Sequence, residues 1–171
     1  AWARVERRAT CLGLPHPIDE RTAAVATSKQ RQRERFSKSG VPHARGLDPQ
    51  RDDVPLPVVV KAPDRQGQRG LTLVRHREEL APALALARAE ARGGGVLVEQ
   101  LVEGPEVTVN AISVDGVFVP LLVTDRRTAE PPAFGVALAH VWPSIEDVAG
   151  AVEVARRAVE AVGITNGPSY T

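Results

Sequence analysis

Lys61 closes the apolar run Val58-Val59-Val60 at the mouth of a polar loop, Asp64-Arg65-Gln66-Gly67-Gln68-Arg69-Gly70. A lysine leaving a sheet toward such a loop can reach a phosphate as a point charge. Gly67 and Gly70 would let backbone N–H groups come close to an anion, because no Cβ intervenes. Spacing alone favours a plainer reading, a snorkelling lysine beside an ordinary hairpin tip. The Gly-Lys-Ser/Thr ending of a Walker loop is absent.

Glu99 and Glu106 bracket a strand break at Glu103-Gly104-Pro105. Carboxylates there can accept hydrogen bonds from an amine and from sugar hydroxyls, and a paused backbone exposes N–H and C=O groups to the edge of a base. Two solvent-facing glutamates are an equal alternative. Asp125, Arg126 and Arg127 crowd one segment. Its arginines can neutralise an acyl-phosphate or a substrate carboxylate, although surface loops commonly carry such charges. His140 lies in the apolar stretch Leu138-Ala139-His140-Val141-Trp142, where a satisfied core histidine is the commoner case. His16, His43 and His76 have no metal-ligand spacing, and no Gly-x-Ser-x-Gly, His-Glu-x-x-His or Cys-x-x-Cys pattern occurs.

These residues must be held by the elements around them. Ala1 to Ala9 reads as helical, and Leu14-Pro15-His16-Pro17 breaks that pattern. Ser28 is a good N-cap for a helix from Lys29 to Ser39, and Gly40 a good stop. The proline-rich stretch Val41 to Pro57 reads as a loop. Val58–Lys61 and Leu71–Val74 read as a hairpin with a long tip. Glu78 to Arg92 is helical, with Pro82 tolerable only near its first turn. Val96-Leu97-Val98 is a strand leading into Glu99. Glu106–Val114 and Val117–Thr124 flank Asp115-Gly116, the strongest short hairpin signal in the chain. Asp125 to Gly135 reads as a loop. Ser144 is expected to cap a helix through Val162, with Gly163 as its stop. Consecutive hairpins imply antiparallel sheets with helices on one face, an α+β fold.

Composition excludes several classes. The net charge of +1 gives no electrostatic case for nucleic acid or an acidic membrane, and the Arg31-to-Arg35 run reads as a solvated helix face. No apolar run approaches the roughly 20 residues that span a bilayer, and no secretory signal is visible. The single cysteine, Cys11, excludes an internal disulfide and fits a reducing, cytoplasmic setting. With no Met and an opening Ala1, both ends are expected to be cuts.

Taken in order along the chain, these segments resemble the ATP-grasp superfamily. Lys29, opening a helix that ends in Ser39-Gly40-Val41-Pro42, looks like its first ATP-contacting lysine. Val58-Val59-Val60-Lys61-Ala62-Pro63 resembles the strand with the second, and Asp64 to Leu71 the loop that closes over the phosphates. Val98-Glu99-Gln100-Leu101-Val102-Glu103-Gly104-Pro105-Glu106 is similar to the hinge for adenine and ribose. The resemblance implies adenine contacts from Glu99 and from the backbone of Gln100 and Val102, and a ribose contact from Glu106. Val123 to Thr128, Pro132-Ala133-Phe134, His140 and Pro143-Ser144 resemble the amino-acid ligase-like branch, in which Arg126 and His140 would serve catalysis. Arg126 stands where that branch usually has a lysine, and Ala139 where it has a glycine.

The resemblance implies a partial ATP-grasp domain over residues 22–171, incomplete at the C-terminus, with residues 1–21 the tail of a preceding domain. It implies ATP and Mg²⁺ as cofactors, and a carboxylate activated as an acyl-phosphate before an amine displaces phosphate. The family's metal-binding glutamates and asparagine would follow Thr171, so no metal ligand is expected in this chain and the chain alone is expected to be inactive. Partners are ATP, a small carboxylate and an amine, and a homodimer stays open. Three alternatives stand beside this reading. One is a non-catalytic nucleotide-binding module. Another is a different ATP-grasp enzyme, such as a carboxylase or a phosphoribosylamine ligase, which the Thr124–Thr128 segment argues against. The third is a structural domain with no ligand.

Overall fold

The computed structural model describes residues 9, 11–13, 16–51, 53–131 and 133–171. The helix expected before Ala9, the Leu14-Pro15 break and Pro132 lie outside the described residues. The chain divides into two compact units. One comprises residues 44–104 and 127–139, the other residues 1–43, 105–126 and 140–171.

The first unit is built on β1 (Val58–Lys61), β2 (Thr72–Val74) and β3 (Leu97–Gln100), in the order β2-β1-β3 with both pairings antiparallel. Successive strand side chains point to opposite faces. One face sends Val58, Val60, Val74 and Val98 into a core with Leu80, Ala83 and Ala87 of α3 (Arg77–Glu90). Helix α3 starts one residue earlier than its sequence suggests, because the Glu79 carboxylate reaches back to the N–H groups of Arg75 (2.8 Å) and His76 (3.1 Å). Pro82 sits deeper in the helix than expected, on its exposed side. The stretch expected to be loop also contributes to the sheet. Arg45–Leu47 lies along the outer edge of β3, with Gln100 N–H donating to Arg45 O (3.0 Å) and Leu47 N–H to Val98 O (2.9 Å).

The second unit holds most of a four-stranded sheet in the order β6-β5-β4-β7. Its strands are β4 (Val107–Val114), β5 (Val117–Thr128), β6 (Ala137–Val141) and β7 (Gly167–Tyr170). Asp115 and Gly116 form the β4–β5 turn with φ of +48° and +82°, the left-handed pair that two-residue hairpins require. β5 runs past Thr124, where a loop was expected, because its pairing with β4 extends to Asp125 opposite Val107 and Arg126 N–H donates to Glu106 O (2.7 Å). β7, which reads as an interrupted tail in the sequence, pairs antiparallel with β4 from Asn110↔Tyr170 to Ser113↔Gly167. β6 is an edge strand, exposed along its whole length.

Helix α4 (Val148–Val162) buries Ala155, Ala158, Val159 and Val162 and packs on β4. Its N-cap is Asp147, not Ser144, which is engaged elsewhere. Gly163 ends it at φ +90°. Helices α1 (Glu20–Ala26) and α2 (Lys29–Lys38) belong to the same unit. α2 has the expected Ser28 cap, whereas α1 has only two turns and too little periodicity to read in the sequence. Asp19 caps α1 by accepting from Thr22 N–H at 2.6 Å. The fold is α+β, with antiparallel sheets and helices packed alongside.

Candidate functional site

Strand alternation decides where Lys61 points. Val58 and Val60 are committed to the α3 core, so Val59 and Lys61 share the opposite face. The register places Lys61 against Leu97 and Val59 against Glu99. Lys61 and Glu99 are therefore diagonal neighbours on one face, and the Lys61 ammonium and Glu99 carboxylate form an ion pair. Their side chains are 17% and 1% exposed, respectively. An ionised carboxylate is that deeply buried only with a partner. Glu99 is thus not a solvent-facing glutamate, and Lys61 does not snorkel to water.

Beyond β3 the chain opens. Gln100 is exposed, with its N–H given to Arg45. Leu101 N–H donates to Pro57 O (3.4 Å). Val102 is 66% exposed, and among the described residues its N–H has no partner. The hinge stretch therefore offers backbone polar groups at the edge of the sheet, as a base-recognising segment needs.

The loop from Asp64 to Gly70 is tied down at several points. The Asp64 carboxylate accepts from the N–H groups of Arg92 (3.1 Å) and Gly93 (3.0 Å), just past α3. The Arg65 guanidinium binds the carbonyl of Glu90, and its carboxylate at 3.6 Å. Gln68 donates to the carbonyl of Gly135. The two glycines differ. A Cβ on Gly70 would lie 3.0 Å from Glu90 Cβ and 3.2 Å from Ala87 Cα, so packing on α3 demands glycine there. A Cβ on Gly67 meets nothing within 4 Å, so its backbone is the one open to an approaching anion. The sequence shows Asp64 as the start of this loop but not its anchoring role, for which its place after Pro63 in a glycine-bearing turn was the available signal.

In the second unit, Lys29 is the first residue of α2 and is half-buried. Glu106 and Arg126 form an ion pair with side chains 46% and 23% exposed. His140 lies on β6 and is exposed, so it is not a core histidine; its Nδ1 lies 3.2 Å from Thr124 Oγ1. Asp125 is 6% exposed and accepts from Ser144 Oγ (2.6 Å) and Ile145 N–H (3.5 Å). This contact fixes the turn before α4. The carboxylate and hydroxyl are 19 residues apart, too far for a local pattern to reveal.

A cavity of about 560 Å³ in this unit lies among α2, α4, β4 and β7 and is lined in part by Phe36, Val109, Val154 and Tyr170. None of the residues singled out for chemistry lines it. Among the described residues, no group of three or more His, Cys, Asp or Glu side chains converges as a metal site. The buried carboxylate of Glu99 is engaged by Lys61, so these residues do not fit a Mg²⁺ cage. Among the described residues, no helix is long and apolar enough to cross a membrane.

No family model and no curated protein sequence matches the chain. Solved structures do. An L-amino acid ligase from Bacillus licheniformis is 23% identical, with a TM-score of 0.78, over 99% of this chain and 41% of that one. The VanG D-Ala:D-Ser ligase from Enterococcus faecalis is 18% identical, with a TM-score of 0.84, over 98% of this chain and 54% of that one. A biotin carboxylase from Campylobacter jejuni, in complex with β-γ-ATP, is 19% identical, with a TM-score of 0.82, over 98% of this chain and 42% of that one. The chain thus spans about half or less of the length of each. At these identities the likeness shows the fold, and the fold is that of the ATP-grasp proteins.

Proposed function

We propose that the chain carries the nucleotide-binding part of an ATP-dependent ligase that joins a carboxylate to an amine through an acyl-phosphate. The observation that carries this reading is the half-buried Lys61 at the end of β1, beside the Gly67 loop and across from the hinge strand β3. A cation held on a largely dry sheet face is well suited to a phosphate. Gly67 adds unobstructed backbone, and Gln100 and Val102 add peptide groups for the adenine edge.

Further roles rest on the family resemblance. Lys29 is assigned to the phosphates, Glu99 to adenine and Glu106 to the ribose. Arg126 and His140 are assigned to the carboxylate substrate and its acyl-phosphate. In the reaction, a carboxylate oxygen attacks the γ-phosphorus and ADP leaves. The amine then attacks the acyl carbon, the acyl C–O bond breaks with its electron pair going to the departing inorganic phosphate, and the nitrogen gives up a proton. The cations lower both barriers by neutralising charge on the transferring group. Mg²⁺ would supply charge neutralisation to the nucleotide's phosphates in such chemistry, and the described residues are assigned no ligand to it. The comparably strong likeness to a biotin carboxylase supports a second reading, in which the same nucleotide part serves another ATP-grasp reaction.

Calorimetric titration of ATP into the chain and into its Lys61→Met variant tests the shared core of both readings. Binding by the parent and its loss in a variant that still melts cooperatively is the expected outcome. Equal affinity in the two, or no binding by the folded parent, would overturn it.

A further inference from the structure

Lys61 does not stand as a free cation. Its ammonium already rests on the Glu99 carboxylate, and that carboxylate has little freedom to withdraw. β3 is held by β1 along one edge and by Arg45–Leu47 along the other, with Gly46 bridged to Glu99 itself. Any anion that reaches Lys61 therefore arrives beside a fixed negative charge. We propose that Glu99 sets an affinity threshold at this site: its carboxylate competes with incoming phosphates for Lys61, weakening all of them alike, so that bare inorganic phosphates fall below useful affinity while a nucleotide, with its base and sugar contacts, stays above it. This inference rests on the nucleotide reading of the site.

The argument is one of competition. Loosening the Lys61–Glu99 pair costs the same for every ligand that needs the lysine, so it acts as a uniform penalty on apparent affinity. The penalty is appreciable because the pair is poorly screened on this face. Inorganic triphosphate has only its phosphates with which to offset it. ATP adds the contacts of its base and sugar with the hinge. Glutamine at position 99 would keep the shape and a carbonyl acceptor for an exocyclic amine, and would remove only the charge.

The experiment is calorimetric titration of ATP and, separately, inorganic triphosphate into the parent chain and into Glu99→Gln. The parent should bind triphosphate at least about tenfold more weakly than ATP, and Glu99→Gln should tighten triphosphate by about tenfold. Unchanged or weaker triphosphate binding by the folded variant overturns the inference, and a loss confined to ATP would mean that Glu99 serves the base instead. Should Glu99→Gln not fold, Glu99→Asp keeps the charge but draws it back by one methylene. It should tighten triphosphate partially, and no change would overturn the inference. If parent and Lys61→Met bind ATP alike, the nucleotide reading itself fails, and this inference with it.

Discussion

Two ion pairs, one from each unit, join a basic side chain on one strand to a glutamate on or just before the antiparallel strand beside it, yet they are not equivalent. Lys61 and Glu99 meet on a closed sheet face, and Glu99 keeps 1% of its side-chain surface. Arg126 and Glu106 meet at the start of the β4–β5 ladder, where Glu106 keeps 46%. Water solvates the second pair and screens it; the first is largely shut away from that screening. Exposed pairs contribute little to stability, whereas opening a buried pair strands a charge. The sequence shows both as a cation and a glutamate near strand ends, so burial alone separates a pair that constrains the fold from one that is free for other work.

The largest effect that would break this contrast comes from removing each cation. Lys61→Met should cost about 3 to 5 kcal/mol, because Glu99 loses its cation inside the unit. Arg126→Met should cost no more than about 1 kcal/mol. Urea denaturation of the two variants measures this, and equal losses would erase the distinction. A smaller effect sharpens it within the Lys61 loop. Gly70→Ala should cost about 2 to 4 kcal/mol, since a left-handed φ of +67° is compounded by overlap with α3. Gly67→Ala, with φ +68° and open space, should cost about 1 kcal/mol. Thermal melts should rank them in that order, and the reverse order would mean that the loop does not pack on α3.

The smallest effect lies at an exposed carboxylate. Backbone and side-chain hydrogen bonding to Thr22 hold the Asp19 carboxyl below its ordinary range. A depressed folded value means that this stabilisation is present above the unfolded value, about 3.9, and is lost as pH falls through the folded one. Asp19→Ala should therefore cost at most about 1 kcal/mol at neutral pH, and less in acid. Asp19→Asn should keep the cap and flatten that pH dependence. Melting temperatures from about pH 7 to pH 2 read this directly, and identical pH profiles for parent and Asp19→Asn would remove Asp19 from the account.

Local signals in the sequence accounted for most of the strands and for α2. Val58 to Lys61, Asp115-Gly116, Ser28 and Gly163 all act through neighbours a few residues away, and the structure uses each as expected. What was not legible depends on partners far along the chain. β7 is a strand because β4 accepts it, not because Gly167-Pro168-Ser169-Tyr170 favours extension. Ser144 does not cap α4 because the turn it forms, donating to Asp125 and accepting from Glu146 N–H, ends before the helix begins, and Asp147 caps it instead. Lys61 and Glu99 were each visible as candidates, but their pairing required the register of β1 on β3. The resemblance to ATP-grasp proteins supplied the fold that no single motif could.

The outer edge of β6 bears on how the chain behaves as a material. Its peptide groups face outward with no further strand beside them among the described residues, and Leu138, Val141 and Trp142 flank them with 69%, 44% and 69% of their surface exposed. Such an edge is a template for a like edge on another molecule. A net charge of +1 supplies almost no long-range repulsion to keep two copies apart. Colloidal stability will therefore fall as preparations are concentrated. A lysine in place of Leu138 is the substitution that would keep them dispersed.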